Sequence, residues 1–420
     1  MSATVDEGQD PWSFGHLLDS QPDRVFLHTA AGPLRCRQLA EQWRPLVRDL
    51  RAQVAELGDH PREDEPVVVA LRAEASLHSL LLLLAAWELG LAVAPLHPRL
   101  PESRVTELLE RLQRRAPVLE RLGTAKGVRL APPRRPLPPA TAAILFTSGS
   151  SNQPKGVVLT RQAMQAAARA SQRHLGTTPE DTWLLSLPLA HIGGLSLLSR
   201  TLLGQASLAL GEPAAGDEAL LQTLVEGRVT FASCVPTQLR RWLDRGLGPL
   251  PRLRGLLVGG APCPHAWLQE AWSRGIAALP TYGASETCAQ LATLRPELVG
   301  KTEALQPLPG VQLRLSEGEL LVRSPTLAHE YLEGPLPMTD DGFYRTGDLA
   351  ELDADGAVRP KGRADCVILS GGEKISPERV ESALQVVTGL QEVAVGALPD
   401  ALWGQRVVVA VVGDAPTLPE

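Results

Sequence analysis

Two short apolar runs, Val67–Leu71 (VVVAL) and Ala92–Leu96 (AVAPL), bracket the most apolar stretch of the chain, Leu77–Trp87 (LHSLLLLLAAW). A strand buried on both faces reads as an unbroken apolar run, and a helix that is apolar all round must lie inside a core. The pattern predicts a strand, a helix over Ala75–Glu88 and a second strand, which is a β-α-β crossover. That unit requires a parallel sheet with helices on its faces. His78 and Ser79 interrupt the apolar stretch and Glu88 closes it, so it falls short of the roughly 18 apolar residues of a membrane span. A buried core helix is expected, and no membrane span.

The same alternation continues. Strand-like runs at Ala142–Thr147, Trp183–Leu187, Thr230–Cys234 and Leu256–Val258 are separated by helical stretches such as Arg161–His174 and Pro236–Asp244. Residues 23–42 predict a hairpin and then a helix. After Gly310, VQLRLSEGELLVRS and GDLAELDADGAVRPKGR read as short antiparallel strands joined by Glu-Gly and Asp-Gly turns. Between Arg111 and Pro139 the chain is rich in Arg and Pro, which predicts a surface connection whose charge is solvated. With 420 residues the chain exceeds one ordinary core, so two or three units are expected.

At 44% hydrophobic and 21% charged residues, wholesale disorder is excluded. The net charge of −6 provides no global basic field, so nucleic acid is not expected as a partner, whereas small anionic ligands remain open. The five cysteines, Cys36, Cys234, Cys263, Cys288 and Cys366, are widely spaced with no CxxC pair, against a disulfide framework or a zinc site. Together with an N-terminus lacking a basic region followed by an apolar one, they predict a cytoplasmic location. A homodimer is compatible with the sequence.

The chemistry-bearing stretch is Ile144–Thr160, ILFTSGSSNQPKGVVLT: strand, hydroxyl- and glycine-rich loop, Pro154-Lys155-Gly156, strand. Backbone N–H groups and hydroxyls of such a loop can surround phosphate oxygens, with Lys155 adding a point charge. It is not a Walker A loop, since GxxxxGK[ST] is absent and a strand is expected to follow. A turn rich in Ser and Gly is ordinarily just a turn, but here TSG, small polar residues and PKG stand in sequence. Four further segments follow it: Leu257–Pro262 (LVGGAP), Tyr282–Thr287 (YGASET), Tyr344–Leu349 (YRTGDL) and Gly362–Ile375 (GRADCVILSGGEKI). In this order they resemble the motifs of the adenylate-forming superfamily of acyl-CoA synthetases, luciferases and peptide-synthetase adenylation domains.

The resemblance implies an α/β fold with a large, multi-lobed N-terminal domain, residues 1–364. A small, incomplete α+β C-terminal domain, residues 365–420, would follow the hinge Asp365. It further implies that Thr147, Ser148, Gly149, Ser150, Ser151 and Lys155 hold the β- and γ-phosphates of ATP and that Ser285 contacts the α-phosphate. Gly259, Gly260, Ala261, Tyr282 and Gly283 would surround adenine, with Tyr282 stacking on it, while Asp348 and Arg363 bind the ribose. Glu286 would coordinate Mg²⁺, a cation usually held by one or two carboxylates plus phosphate. Lys155, Glu286 and Lys374 are the candidate catalytic residues, with Gly371 and Gly372 beside Lys374 serving the later CoA step. Two departures stand out: SGSSNQPKG lacks a glycine and puts Asn152 where φ > 0 is tolerable for Asn, and Ser285 replaces threonine. Both keep a hydroxyl.

The expected reaction is ATP-dependent activation of a carboxylic acid to an acyl-adenylate, then transfer to CoA. Pro188–Arg200 (PLAHIGGLSLLSR) has no Asp to pair a substrate amine, which disfavours amino acids. With Glu286–Thr293 it resembles the o-succinylbenzoate–CoA ligases of menaquinone and phylloquinone biosynthesis. Their substrate has a second, aromatic carboxylate, for which Arg200 is the candidate reader. His191, Gly194, Ser196, Cys288 and Gln290 would complete the acid pocket, His191 as a gate or lining residue. Set beside this are an aryl or fatty acid CoA ligase, a carrier-loading aryl-acid adenylation domain, and a catalytically silent binder of nucleotide or acyl-adenylate. The family uses a lysine near its C-terminus for adenylation. No lysine follows Lys374 here and the sequence runs only to Glu420, roughly half-way through the expected C-terminal domain, so slow adenylation by this chain is expected.

Overall fold

The computed structural model describes residues 12–57, 65–122, 125–129, 135–147, 154–211, 216–226, 228–384, 390–400 and 402–413. The predicted crossover forms as read: strand Val68–Arg72, helix Leu77–Glu88 and strand Ala92–Leu96, the two strands parallel neighbours. Ser76 caps the helix by accepting from the Ser79 N–H, and every side chain from Ser79 to Trp87 is buried. Among the described residues no helix is long and apolar enough to cross a membrane.

Two large sheets organise the body. The first has seven strands in the order Glu330–Tyr331, Lys155–Thr160, Thr141–Thr147, Ala92–Leu96, Val68–Arg72, Val118–Leu122, Ala125–Arg129. The second has nine, in the order Gln306–Pro307, Ala292–Thr293, Ala278–Tyr282, Gly255–Val258, Phe231–Cys234, Thr182–Leu185, Ser207–Leu210, Val25–Thr29, Gly32–Arg35. Its middle is parallel, and the N-terminal hairpin closes one edge, with Leu27 opposite Leu208. Helices lie between the sheets, where one apolar cluster runs from Val69, Leu71 and Val93 through Leu84 and Leu198 to Trp183, Leu185 and Leu208.

Residues 312–363 form the expected antiparallel sheet, Gln312–Ser316, Glu319–Arg323, Tyr344–Leu352, Val358–Arg363. A fourth sheet follows the short turn Ala364–Cys366. It joins Glu373–Ile375, Ile368–Ser370, Gly404–Gly413 and Leu390–Asp400, with helix Pro377–Leu384 against the longest ribbon.

The Arg/Pro-rich stretch corrects its prediction. Its first residues end a helix, Glu102–Gln113, and Val118–Leu122 and Ala125–Arg129 become strands of the first sheet. Arg114 and Arg135 are exposed as expected, but two of its charges are not solvated. Arg115 is buried, donating to the Leu332 carbonyl and pairing with buried Glu330, which Arg135 also reaches. Arg121 is buried against Asp49 at 3.0 Å. Burying a guanidinium is costly unless its donors are used, and a carboxylate about 200 positions away, as Glu330 is from Arg115, cannot be read from local composition.

Candidate active site

The phosphate-loop segment is a hairpin, as its two apolar arms dictate: Thr141–Thr147 and Lys155–Thr160 pair antiparallel up to Thr147 opposite Lys155. Ser148, Gly149, Ser150, Ser151 and Asn152 lie outside the described residues. Thr147 and Lys155 mark the two ends of the loop. The short strand Glu330–Tyr331 adds to the outer arm, Tyr331 opposite Val157, and this places the Tyr331 ring under the Lys155 ammonium, Nζ 5.0 Å from the ring centroid.

The Tyr331 hydroxyl donates to Glu286 Oε1 at 2.9 Å and lies 3.4 Å from the Tyr344 hydroxyl. Glu286 is fixed from its backbone too, since its carbonyl accepts from the Ala328 N–H at 2.7 Å. Lys155, on the phosphate hairpin, and Glu286, in the turn after strand Ala278–Tyr282, are thus brought to one phenol, the ammonium over its ring and the carboxylate at its hydroxyl. The second Glu286 oxygen has no partner among the described residues, which suits a hard cation that takes one carboxylate and completes its shell with phosphate and water. Burial, with the Glu286 charge, pushes the Tyr331 hydroxyl up to about 12, so it stays a donor at neutral pH.

Tyr282–Thr287 is a tight turn. Strand Ala278–Tyr282 ends in Gly283, where a Cβ would sit 1.6 Å from the Ala289 carbonyl oxygen, so only glycine admits this closure. The chain then bends through Ser285–Thr287, and Cys288 and Ala289 take positive φ of 53° and 88°. Such strain outside glycine clusters at functional turns. Here it leaves Ser285 and Glu286 half-buried at the sheet end.

Beside this turn opens a cleft of about 620 Å³, lined by Gly260, Ala261, Tyr282, Gly283, Asp348 and Arg363 among others. These are six of the residues to which the resemblance assigns the adenosine. Tyr282 donates its hydroxyl to Asp348 Oδ2 at 2.5 Å, and Arg363 lies 3.5 Å from Asp348 Oδ1 while donating to the Thr346 carbonyl at 3.0 Å. Burial raises the Asp348 carboxyl, with Tyr282 and Arg363 opposing the shift. Gly259 packs under Thr281 behind the cleft. Arg363 also holds both oxygens of Asp365, the hinge candidate, at 3.0 Å each. Gly371 and Gly372 form the tip between strands Ile368–Ser370 and Glu373–Ile375, the latter containing Lys374, on the fourth sheet.

The acid-pocket candidates separate into groups. Arg200, Ser196 and Cys288 line a small cavity with Met164, Ala167, Ala168, Ile192 and Ser199, between helices Arg161–Leu175 and Ile192–Gly204. Arg200 is 8% exposed and makes no hydrogen bond or ion pair among the described residues. Its guanidinium lies 5.2 Å from the Trp183 ring centroid, and burial lowers its pKa to about 10. The Ser196 and Ser199 hydroxyls are buried without partners among the described residues. His191 stands exposed at the helix N-terminus, its ring 5.8 Å from that of His97, and surrounding protein together with His97 depresses its pKa. The other two residues brace the site. A Cβ on Gly194 would be 2.3 Å from the Pro188 carbonyl oxygen, and buried Gln290 accepts from Ser171 at 2.7 Å and donates to Thr293 at 2.8 Å.

Sequence reading missed Ser199 and Tyr331. Ser196, Ser199 and Arg200 are spaced i, i+3, i+4, one face of a helix. Rarity marks Tyr331: the chain has three tyrosines, and all three meet a carboxylate or each other here.

A family model described as "AMP-binding enzyme" matches residues 18–332, three quarters of the chain, and the chain belongs to that family. A 2-succinylbenzoate–CoA ligase of Enterococcus faecalis is 36% identical over 292 residues, covering 66% of this chain and 60% of that protein. That of Bacillus subtilis is 32% identical over 281 residues, covering 63% and 58%. The match thus spans less than two thirds of these curated relatives. Among solved structures, E. coli MenE with a bound phenylether-linked analogue of OSB-AMS superposes with a TM-score of 0.76 at 26% identity, covering 99% of this chain and 91% of that one. The Bacillus subtilis o-succinylbenzoate CoA synthetase in complex with OSB-AMP gives 0.85 at 24% identity, covering 98% and 90%, a likeness of fold.

Proposed function

We propose that this chain activates o-succinylbenzoate with ATP and transfers the acyl group to CoA. The observation that carries the choice of acid is Arg200, a buried guanidinium without an anionic partner among the described residues, in a cavity with two unpaired hydroxyls. A buried charge left alone is costly, and an aromatic carboxylate would supply the missing countercharge and accept from the serines. Apolar Met164, Ala167, Ala168 and Ile192 would face the ring once the cavity, which now has room for about one water, opens to admit it. A fatty acid or a simple benzoate activated at its only carboxylate would leave Arg200 unpaired.

In the first step the succinyl carboxylate oxygen attacks the α-phosphorus. The bond from that phosphorus to the bridging oxygen breaks, and pyrophosphate leaves with the electron pair. Lys155 and the loop it closes would hold the β- and γ-phosphates. Tyr282, Asp348 and Arg363 would fix the adenosine, so that two anions meet in line instead of repelling. Mg²⁺ would sit on Glu286 and neutralise phosphate charge when bound. In the second step the CoA thiolate attacks the acyl carbon, the bond from that carbon to the phosphate oxygen breaks, and AMP departs with its electron pair. A thiol of pKa about 8.5 supplies some thiolate unaided, so His191 needs only to gate or line the path. Cys288, with its thiol pushed up to about 12 by burial, remains a neutral wall residue.

The test is mass spectrometry of the protein incubated with o-succinylbenzoate, Mg-ATP and CoA, with benzoate and a fatty acid in parallel. Acyl-adenylate and thioester from o-succinylbenzoate alone support the proposal. Equal turnover of benzoate would refute the assignment of Arg200, and no product with any acid, even from supplied acyl-adenylate and CoA, would favour a silent binder.

A further inference from the structure

Arg111 touches both stems of the phosphate loop. Its guanidinium lies 5.2 Å from the ring centroid of Phe146, the residue before Thr147, and Nη2 donates to the Pro154 carbonyl, the residue before Lys155, at 2.7 Å. The same guanidinium pairs with Glu333, whose other oxygen accepts from the Gly156 N–H at 3.3 Å. Lys155 is therefore flanked on each side by a backbone group tied to Arg111, directly or through Glu333. The sheet ladder does not duplicate this tie, because its last pair is Thr147 opposite Lys155 and Pro154 lies beyond it.

We propose that Arg111 is a positioning residue, a clasp at the root of the loop that, with Glu333, sets where Lys155 emerges toward the phosphates of ATP. The inference rests on the reading above that this chain binds ATP. Anchoring of the helix to the sheet falls to Arg115, one turn further on, which is buried and uses its donors on Glu330 and the Leu332 carbonyl. Arg111 and Glu333 lie nearer the surface, with side chains 15% and 48% exposed, so losing their pairing loosens the loop root without opening a core.

The discriminating measurement is the affinity of the 420-residue chain for MgATP and for AMP by titration calorimetry, with thermal melts alongside. Arg111→Met keeps an apolar stem against Phe146 and removes the donors. It should weaken MgATP about tenfold, the effect of losing one hydrogen bond from a charged donor, and leave AMP unchanged, because AMP lacks the phosphates that the loop would hold. Arg111→Lys should recover part of the loss. Glu333→Gln should act in the same direction, and the double variant should be no worse than Arg111→Met, since both break one unit. An unchanged ATP-to-AMP ratio, or equal weakening of both nucleotides, overturns the clasp. If Arg111→Met does not fold, the ratio in Glu333→Gln decides alone. Wild-type protein that binds neither nucleotide would instead overturn the functional reading on which the clasp rests.

Discussion

Replacing Arg200 with Met should move stability and substrate affinity in opposite directions. Burial lowers its pKa from 12.5 to about 10, a penalty on the charged form of about 3 kcal/mol at roughly 1.4 kcal/mol per unit. The folded value lies below the unfolded one, so this penalty is complete at neutral pH and fades only as pH rises past about 10. The contact with the Trp183 ring offsets about 0.5–2 kcal/mol of it. A methionine of similar length in the apolar cavity should therefore stabilise the ligand-free protein by about 1–2 kcal/mol, a rise of a few degrees in Tm. Binding loses a hydrogen bond between charged partners, worth about 1.5–3 kcal/mol, so KM for o-succinylbenzoate should rise about 10–150-fold. KM for ATP should hold. Differential scanning fluorimetry without ligand and coupled pyrophosphate release read the two arms. A lower Tm would show that Arg200 is satisfied in the free protein, and an unchanged KM would remove it from the acid site.

Three other substitutions probe separate parts of the molecule. Tyr331→Phe removes the hydroxyl on Glu286 but keeps the ring under Lys155; the Mg²⁺ concentration for half-maximal rate should rise about tenfold, with weaker Mn²⁺ binding by EPR, and an unaltered requirement would count against Glu286 as metal ligand. His174 donates from Nε2 to the Thr293 carbonyl at 2.9 Å while Nδ1 is buried with no partner among the described residues, and burial lowers its pKa. The unfolded chain thus takes up a proton that the fold resists, and stability should fall as pH drops below about 6.5; His174→Gln should flatten that slope in urea titrations, and an identical slope would assign it elsewhere. Gly283→Ala would force a Cβ against the Ala289 carbonyl and should cost more than about 2 kcal/mol, a clear drop in Tm; a wild-type melt would mean that the turn adapts.

What was legible in the sequence was local or periodic. The Val67–Leu96 crossover, the strand–loop–strand around Lys155 and the antiparallel run after Gly310 announce themselves by apolar pattern and turn residues, and their structures match. The motif order brought Tyr282, Asp348 and Arg363 to one cleft. The Arg111–Pro139 stretch misled because arginine and proline are surface-biased on average, whereas the partners that pull Arg115 and Arg121 inside, Glu330 and Asp49, are far along the chain. Tyr331 was invisible for the same reason, its role arising from a two-residue strand added to the edge of the phosphate hairpin. The bonds of Gln290 to Ser171 and Thr293 likewise follow from tertiary packing, which its own segment does not announce.

The N-terminal hairpin completes the second sheet by pairing Val25–Thr29 with Ser207–Leu210, about 180 residues later. On the ribosome, at about 5–20 residues per second, the nascent hairpin waits roughly 9–36 s before its partner strand exists. During that interval Phe26 and Leu27, fully buried in the finished protein, have no sheet to join. The first sheet faces no comparable delay at its centre, where Val68–Arg72 and Ala92–Leu96 are synthesised within a single crossover. Co-translational folding should therefore begin with the first sheet, and chaperone dependence should concentrate on the opening segment until residue 210 has left the exit tunnel.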